Sequence, residues 1–546
     1  MIWASGNKST LSSLLKLANR IASEKIRSPN ITAFNSNQII VRILGAIASG
    51  ILLILIHPTP DQGWLAWVCL VPILLACHRS SIGFSSLLGL ITGLIYAYGV
   101  FFWFFHLPKA GAVQSIPLAI IIALYVAVFA AFASRINNNF LRLLVLPCIW
   151  ITVEWLRAHA GFLSLPWATL AHSQHQNIGL LQYGAFTGTY GISFIIVAGN
   201  VLLANMIIMR KVSIEQWLGI STILLLHLYG HSLIGEPELT KTQKIMLVQP
   251  HISVHEVRGE QTNQLRWQKL DRLTRKAIET GIDLVVWPET VLRGLKSNPL
   301  LMRNIQTLCN DYQISLLSGV TEFEKFTTDG GSKGEGEVKT RSFNSIVFVV
   351  PDKPSPVFYN KLILVPFGEY TPLSDYLSWP QWLAPVASEL TRGDAYVHFA
   401  MPEGTIIGPL ICWENLFPDF VRQSVMDGAQ VLVQVVNNNW FGQSAQPFQH
   451  NIASVMRAVE NRRSVVVASN SGPSQVVDPW GRVTAVTPEY FSKATLISEV
   501  QINDIPSFYS RHGDLFLWFV MGFSALALLL SLLSRQTSHT QKNGRN

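Results

Sequence analysis

The sequence predicts a chain in two parts, a multi-pass α-helical membrane domain followed by a layered α/β domain with a mixed sheet, closed by one last membrane helix. Three observations predict it. Hydrophobic residues make up 49 % of the 546 residues and charged ones only 14 %, with a mean hydropathy of +0.31, which is too apolar for an ordinary soluble protein. The apolar residues are unevenly placed, filling 39–234 and 514–533, while 237–511 has the mixture of a globular domain. Within that globular stretch, short apolar runs of strand length alternate with segments of helical periodicity.

Apolar spans are expected at 39–57, 64–77, 84–106, 115–134, 141–156, 185–209 and 216–234, with an eighth at 514–534. The second and fifth are short for a bilayer that needs ~20 residues, which predicts tilted or partly interfacial segments. Residues 1–38, rich in Ser, Asn and Thr with scattered Lys and Arg, read as a retained cytoplasmic tail and not as a signal peptide. The expected division is therefore a tail at 1–38, about seven helices over 39–236, a globular domain at 237–511, a last helix at 512–534 and a second tail at 535–546.

Charge sets the orientation. With the N-terminus inside, the inner segments hold Arg42, Arg79, Arg135, Arg142, Arg210 and Lys211, and the C-terminal tail adds Arg535, Lys542 and Arg545. The short outer loops carry only Lys109 and Arg157. This positive-inside asymmetry places 237–511 on the outer face and both termini inside. It also explains the net charge of +8 without a basic patch for nucleic acid, which is not expected as a partner. Among the polar residues near the membrane, His106, Glu154, Arg157, His172 and His175 are functional candidates by position. Glu154 and Arg157, at helical i,i+3 spacing, are expected to pair with each other at the outer interface.

In the globular part, strands are predicted at 244–249, 283–287, 314–320, 343–350, 405–411, 431–436 and 464–469. Trp267, Leu270, Leu273, Ala277 and Ile278 mark one face of a helix that stops at Gly281, and Ile452, Val455, Met456 and Val459 mark a helix over 449–461. The Gly-rich, charged segment 324–340 reads as a hairpin loop.

The chemistry centres on Gly408-Pro409-Leu410-Ile411-Cys412-Trp413-Glu414-Asn415. An apolar strand breaks at a polar triplet, and Phe420, Val421, Ser424 and Val425 then recur at helical spacing. Cys412 thus sits at a strand-to-helix elbow, where a helix N-terminus would favour its thiolate. The five cysteines, Cys69, Cys77, Cys148, Cys309 and Cys412, show no CxxC pair or zinc spacing, so neither a metal, a disulfide framework nor a cofactor is expected. Taken singly, Cys412 is a small buried hydrophobe, Glu289 at the end of Trp287-Pro288-Glu289-Thr290 a capping carboxylate, and Lys361 in Tyr359-Asn360-Lys361 a strand-edge charge.

Taken together they read differently. WPE at the end of one strand, YNK followed by PFGE around another, and ICWEN at a third resemble the nitrilase superfamily, whose catalytic residues are Glu, Lys and Cys in that chain order. The resemblance continues through Asn437-Asn438-Asn439-Trp440-Phe441 and Arg457-Ala458-x-Glu460-Asn461-x-Arg463, covers most of 244–500, and implies an α-β-β-α sandwich. A nitrilase-like domain with seven preceding spans and one following resembles the apolipoprotein N-acyltransferase family, which also carries a stretch close to NKLILVPFGEYTP. Trp413 is a departure, since the family can have tyrosine there; a ring is kept and a phenolic hydroxyl is not. The loop after Gln249 is also longer and more polar than expected.

The resemblance implies that Cys412 is the nucleophile, Glu289 the proton carrier and Lys361 the fixed charge for the oxyanion. The Trp413 N–H is a second oxyanion donor, and Glu369 and Glu414 are carboxylates that orient Lys361, with a purely structural hydrogen-bonding role for Glu414 equally open. Asn438 and Asn439 either contact substrate or cap a strand end. The aromatic segment Leu373–Leu390, with Tyr376, Trp379 and Trp382, reads as an arm that guides acyl chains, or else as a packed loop. The implied donor is a glycerophospholipid, and the implied acceptor is the α-amino group of a diacylglyceryl-cysteine on an apolipoprotein. The implied setting is a monomer in the bacterial inner membrane with its catalytic domain in the periplasm. Two other readings remain at this stage: a membrane-tethered carbon–nitrogen hydrolase using the same three residues, and a non-catalytic transporter or scaffold with a retired domain.

Overall fold

The computed structural model describes residues 35–107, 112–210, 212–235, 241–253, 260–327, 338–353, 355–380, 389–526 and 529. The expected tails lie largely or wholly outside the described residues, as do Trp382, Lys109 and Lys211. The N-terminal part is helical: α1 (Ser36–Leu55), α2 (Val71–Cys77), α3 (Ile82–Val100), α4 (Ala112–Arg135), α5 (Asn139–Ala158), α6 (Gly184–Met209) and α7 (Ile214–Ser232). Five of these, α1, α3, α4, α5 and α6, are long and apolar enough to cross a bilayer, and the chain is a membrane protein. The second expected span is split into a 3₁₀ turn, Gly63–Trp67, and the seven-residue α2, in keeping with its shortness in the sequence. In the region of the last expected span the described residues hold a shorter apolar helix, Leu515–Leu526.

Helices α3 and α4 pack backbone to backbone. A Cβ added at Gly93 would lie 2.4 Å from the Ala123 Cα, and one at Gly89 would lie 2.6 Å from the Ala127 Cα. Small residues four apart on α3 allow this approach, the usual solution where lipid removes the hydrophobic drive between helices. Glu154 and Arg157 do not form the expected pair. Glu154 Oε1 accepts from Trp150 Nε1 and the Leu170 amide, both at 2.9 Å, and the Arg157 guanidinium donates to the Trp167 carbonyl at 2.7 Å. Both are buried. Each instead ties α5 to the loop that follows it and satisfies a backbone group there.

The second part holds two six-stranded sheets, each with parallel and antiparallel pairs. One runs β12-β1-β2-β3-β4-β5 and the other β11-β10-β9-β8-β7-β6. The strands are β1 (Thr242–Gln249), β2 (Leu284–Arg293), β3 (Ser315–Thr327), β4 (Val338–Val349), β5 (Val357–Asn360), β6 (Phe399–Ala400), β7 (Ile406–Ile411), β8 (Val431–Val436), β9 (Ser464–Ser469), β10 (Gln475–Val477), β11 (Val483–Val486) and β12 (Ala494–Gln501). The seven predicted strands are all present; β5, β6 and β10 to β12 are short or far from their partners in sequence. The expected loop at 324–340 is in part the ends of β3 and β4, and 328–337 lies outside the described residues.

Period-two alternation sorts the side chains into layers. Ile245, Leu247, Leu284, Val286 and Leu317 from the first sheet meet Ile407, Val431, Val433, Val435 and Val466 from the second in one core. The other face of the first sheet, with Met246, Val248, Val285 and Leu316, is covered by α8 (Glu260–Ala277) and α9 (Pro299–Tyr312). The other face of the second sheet is covered by α10 (Pro418–Met426) and α11 (Gln446–Asn461), and this core is continuous with that of the membrane helices. The order is helices, sheet, sheet, helices, as the α-β-β-α resemblance implies. Both faces of each sheet are covered, so the strands read as near-continuous apolar runs.

Gly319 in β3 has no room for a side chain: a Cβ there would stand 2.4 Å from the Glu289 Cα and 2.5 Å from the Pro288 carbonyl oxygen. Backbone on two adjacent strands cannot yield as a side-chain tip can. Gly319→Ala is expected to cost about 2 kcal/mol and to lower the midpoint of thermal unfolding in detergent; an unchanged midpoint would show that β2 and β3 can separate without penalty.

Candidate active site

Two strand ends and an irregularity within a third strand, where the sequence predicted a strand end, converge where the two sheets face each other. Glu289 lies in β2 at an irregularity, where the pairing with β3 shifts register between Trp287 and Leu292. Lys361 follows β5, and Cys412 follows β7. The irregular turn of β2 has Thr290 at φ +54°, and Cys412 itself stands at φ +53°, a left-handed conformation that a residue with a Cβ holds only when its surroundings fix it. At Cys412 the chain leaves β7 and enters a 3₁₀ turn, Cys412–Leu416, before α10. The expected elbow is present, but the element that begins at the cysteine is this short turn.

Glu289 and Lys361 are fully enclosed, while Cys412 keeps part of its surface open. Glu289 Oε1 accepts from Asn344 Nδ2 at 2.7 Å, and Oε2 accepts from the Asn437 amide at 2.7 Å. Lys361 Nζ donates to Glu369 Oε1 at 2.8 Å, and Asn344 Nδ2 reaches the same Glu369 oxygen at 3.3 Å. Glu369 is itself fixed by the Val365 amide at 2.8 Å. The Lys361 amide donates to the Asn344 carbonyl at 2.8 Å. Asn344 therefore bridges both carboxylates and locates the lysine backbone.

The electrostatics follow from burial. Burial raises the Cys412 thiol well above its usual value, and the nearby Glu289 carboxylate raises it further; Lys361 and the Trp413 amide act in the opposite sense. Burial also raises Glu289, with Lys361 opposing. Burial works against the Lys361 charge, yet Glu369, Cys412 and Glu289 outweigh it and lift the ammonium above its ordinary range. Burial thus disfavours both the thiolate and the Glu289 carboxylate, while the Lys361 ammonium is held. The same burial opposes the thiolate that the sequence expectation assigned to a helix dipole. Such a set can move a proton from sulfur to carboxylate as sulfur attacks a carbonyl, and can stabilise the oxyanion that forms.

The surrounding residues divide in ways the sequence left open. Glu414 does not touch the Lys361 ammonium. It accepts from the Leu362, Ile363 and Ile411 amides at 2.8, 3.2 and 2.8 Å and from the Tyr359 hydroxyl at 2.9 Å. Burial pushes its carboxyl up to about 7; with four donors and no acceptor around it, the ionised form fits the site. It clamps the chain on both sides of the elbow, so its positioning is structural. The Trp413 indole donates to the Ile363 carbonyl at 2.6 Å, a role a phenol would meet differently. Asn439 donates to the Ile252 carbonyl at 2.8 Å, and buried Asn438 reaches Ser469 Oγ at 3.4 Å, so both are tied into the scaffold. Tyr376 is 89 % exposed. Trp379 donates to the Pro372 carbonyl at 2.6 Å and packs edge-on against Phe367, which in turn meets Phe162 from the membrane part. Among the described residues neither Tyr376 nor Trp379 contacts Glu289, Lys361 or Cys412. The motif residues Arg457, Glu460 and Arg463 are buried supports: Arg457 pairs with Glu460 at 2.8 Å, Glu460 accepts the Thr189 amide at 3.0 Å, and Arg463 donates to the Ala429 carbonyl at 2.7 Å. Asn344 was not singled out by the sequence, and Asn437 was read only as part of a motif; the signal for Asn344 was an amide side chain at the start of the apolar part of β4.

Family models match both parts of the chain. Residues 49–202 match the apolipoprotein N-acyltransferase N-terminal domain, and residues 244–509 match the carbon-nitrogen hydrolase family. A relative from Chlorobaculum tepidum, "Apolipoprotein N-acyltransferase", is 28 % identical over 522 residues, covering 90 % of this chain and 96 % of its own. Among solved structures, Saccharomyces cerevisiae Nit3, of the nitrilase superfamily, overlays 49 % of this chain and 93 % of its own at 17 % identity and a TM-score of 0.37. "Apolipoprotein N-acyltransferase" from Geobacter metallireducens is 31 % identical over 536 residues, covering 94 % of this chain and 99 % of its own. With a likeness of that extent across membrane helices and catalytic domain alike, the chain belongs to the apolipoprotein N-acyltransferase family.

Proposed function

We propose that the chain moves an acyl group from a membrane glycerophospholipid to the N-terminal α-amino group of a diacylglyceryl-cysteine on apolipoproteins, through a thioester on Cys412. The observation that carries this reading is a part-exposed thiol on a strained elbow, beside a buried carboxylate and a buried ammonium, between the sheets of a domain packed on membrane helices.

In the first half-reaction the Cys412 sulfur attacks the donor ester carbonyl while Glu289 takes the thiol proton. The tetrahedral oxyanion lies against the Lys361 ammonium and the Trp413 amide. The carbon–oxygen bond breaks, the glycerol oxygen leaves with the proton held by Glu289, and a lysophospholipid departs. In the second half-reaction the acceptor amine, already neutral, attacks the thioester. Glu289 takes a proton from the attacking nitrogen and returns it to the departing sulfur, leaving an amide and the resting thiol. The raised Glu289 suits both transfers, since a carboxylate in an apolar setting is a better base than one in water. Both substrates are lipid-anchored, which favours a site whose supporting helix layer is shared with the membrane part. We assign the membrane to the bacterial inner membrane, with the catalytic domain periplasmic and both termini cytoplasmic, on the positive-inside asymmetry of the sequence.

Initial rates of N-acylated peptide formation, with phospholipid and diacylglyceryl-cysteine peptide both varied, are expected to give parallel double-reciprocal lines. Cys412→Ala should lower the rate by roughly 10³-fold or more. Release of free fatty acid without amide formation would favour the hydrolase reading instead. A second expectation concerns the titration of the thiol. The midpoint of the pH profile for alkylation of Cys412 by iodoacetamide should lie above the usual cysteine value near 9. Glu289→Gln removes a charge that disfavours the thiolate and should move the midpoint down; Lys361→Met removes one that favours it and should move the midpoint up. Shifts of the opposite sign would contradict the assigned electrostatics.

A further inference from the structure

Strand β8 reads Val431-Leu432-Val433-Gln434-Val435-Val436, with every residue buried. An amide side chain in the middle of that run costs free energy unless its hydrogen bonds are met. They are met by groups around the elbow. Gln434 Nε2 donates to the Cys412 carbonyl at 2.8 Å. Gln434 Oε1 accepts from Ser454 Oγ at 2.7 Å, and Ser454 Oγ accepts from Asn415 Nδ2 at 2.9 Å. Asn415 Oδ1 lies 2.9 Å from His450 Nε2. Because the Asn415 amide nitrogen is committed to Ser454 and the His450 carbonyl, its oxygen is the acceptor and His450 Nε2 carries the proton. Burial holds the His450 ring down to about 3, so the network is neutral throughout. It makes no hydrogen bond to Glu289, Lys361 or Glu369 and meets the active site at the Cys412 backbone, while Arg457 Nη1 reaches the Asn415 carbonyl at 3.4 Å.

Its other end rests on the membrane part. The Trp167 ring stacks on His450 at 5.4 Å between centroids. Beside it, Gln449 Oε1 accepts from both the Trp167 and Trp103 indoles, at 2.8 and 3.1 Å. Gln449 Nε2 donates to the Pro58 and Val100 carbonyls, each at 3.1 Å. One residue of α11 therefore uses all four of its amide valences on three separate membrane-side segments, and its neighbour begins the chain of bonds that ends at the nucleophile.

We propose that Gln434, seated by Ser454, Asn415 and His450, is a positioning residue that holds Cys412 at its left-handed φ, and that the docking of α11 on Trp103 and Trp167 fixes the network. The proposal rests on Cys412 being the nucleophile assigned above. Holding the Cys412 carbonyl sets the direction of its side chain, so the network acts on the rate of attack and not on lipid binding or on thiol acidity.

The test uses the full chain in detergent with two readouts. Alkylation of Cys412 by iodoacetamide needs no acyl transfer, and single-turnover acylation by phospholipid reads the reaction itself. Gln434→Met keeps the volume and removes the amide. It should lower the high-pH plateau of alkylation and the acylation rate constant by about tenfold, the rate equivalent of one hydrogen bond. The alkylation midpoint should not move, and the KM for phospholipid should stay within about twofold. Ser454→Ala, one bond further out, should give about threefold with the same pattern, and Ser454→Thr should restore the rate. If Gln434→Met does not fold, the Ser454 pair decides alone. Folded variants with an unchanged plateau and acylation rate, or an effect confined to KM, would overturn the proposal. Wild-type protein that alkylates normally but never acylates would overturn the assigned function and leave the alkylation comparison valid.

Discussion

A buried ammonium governs this site. Lys361 is wholly enclosed, and a lone cation there would cost several kcal/mol. The structure answers with Glu369 at 2.8 Å and with Glu289 close enough to act on it electrostatically. Burial raises Glu289 and Cys412 first, and two carboxylates around one ammonium add to it, since an excess of negative charge is left if both ionise. The same imbalance favours consumption of the Glu289 negative charge when a proton becomes available from sulfur. Removing the lysine would leave buried Glu289 and part-buried Glu369, which share Asn344, without their common counter-ion.

The second constraint is where the outer helix layer sits. In an α-β-β-α arrangement each sheet needs its outer face covered. Here α10 and α11 cover the second sheet, and their far side is continuous with the core of the membrane helices. Buried polar contacts lock that contact: Gln449 with the indoles of Trp103 and Trp167, Glu460 with the Thr189 amide, and Arg462 with Gln182 at 2.7 Å. A layer of this kind transmits position as well as burying surface, because packed interiors and satisfied polar networks resist small displacements. The strand end that carries Cys412 is thereby held from below by the membrane part and from above by the first sheet.

Much of this was legible in the sequence, for physical reasons. Strands with both faces covered leave unbroken apolar runs, which made β7, β8 and β9 visible, and the polar interruption at Cys412-Trp413-Glu414 marked the elbow. The three charged or nucleophilic residues were legible only as a set, since each alone has a bland explanation. Long-range pairing was not legible. β12 lies against β1 with Gln501 opposite Thr242, and nothing local in either strand announces a partner so distant. The division into two sheets rests on such pairings. Contacts made by backbone groups were also invisible, including the Asn437 amide on Glu289 and the three amides on Glu414. The membrane-side roles of Glu154 and Arg157 were misjudged because helical spacing alone says nothing of the loop that folds back onto them.

The central claim is that Cys412 carries the acyl group between donor and acceptor. It is tested most directly by mass analysis of the Cys412 peptide after the purified protein meets phospholipid without acceptor. The account predicts one acyl chain in thioester linkage on Cys412, sensitive to hydroxylamine and discharged when a diacylglyceryl-cysteine peptide is added. An unmodified Cys412 in protein that still forms N-acylated peptide, or an acyl group carried on another residue, would contradict it.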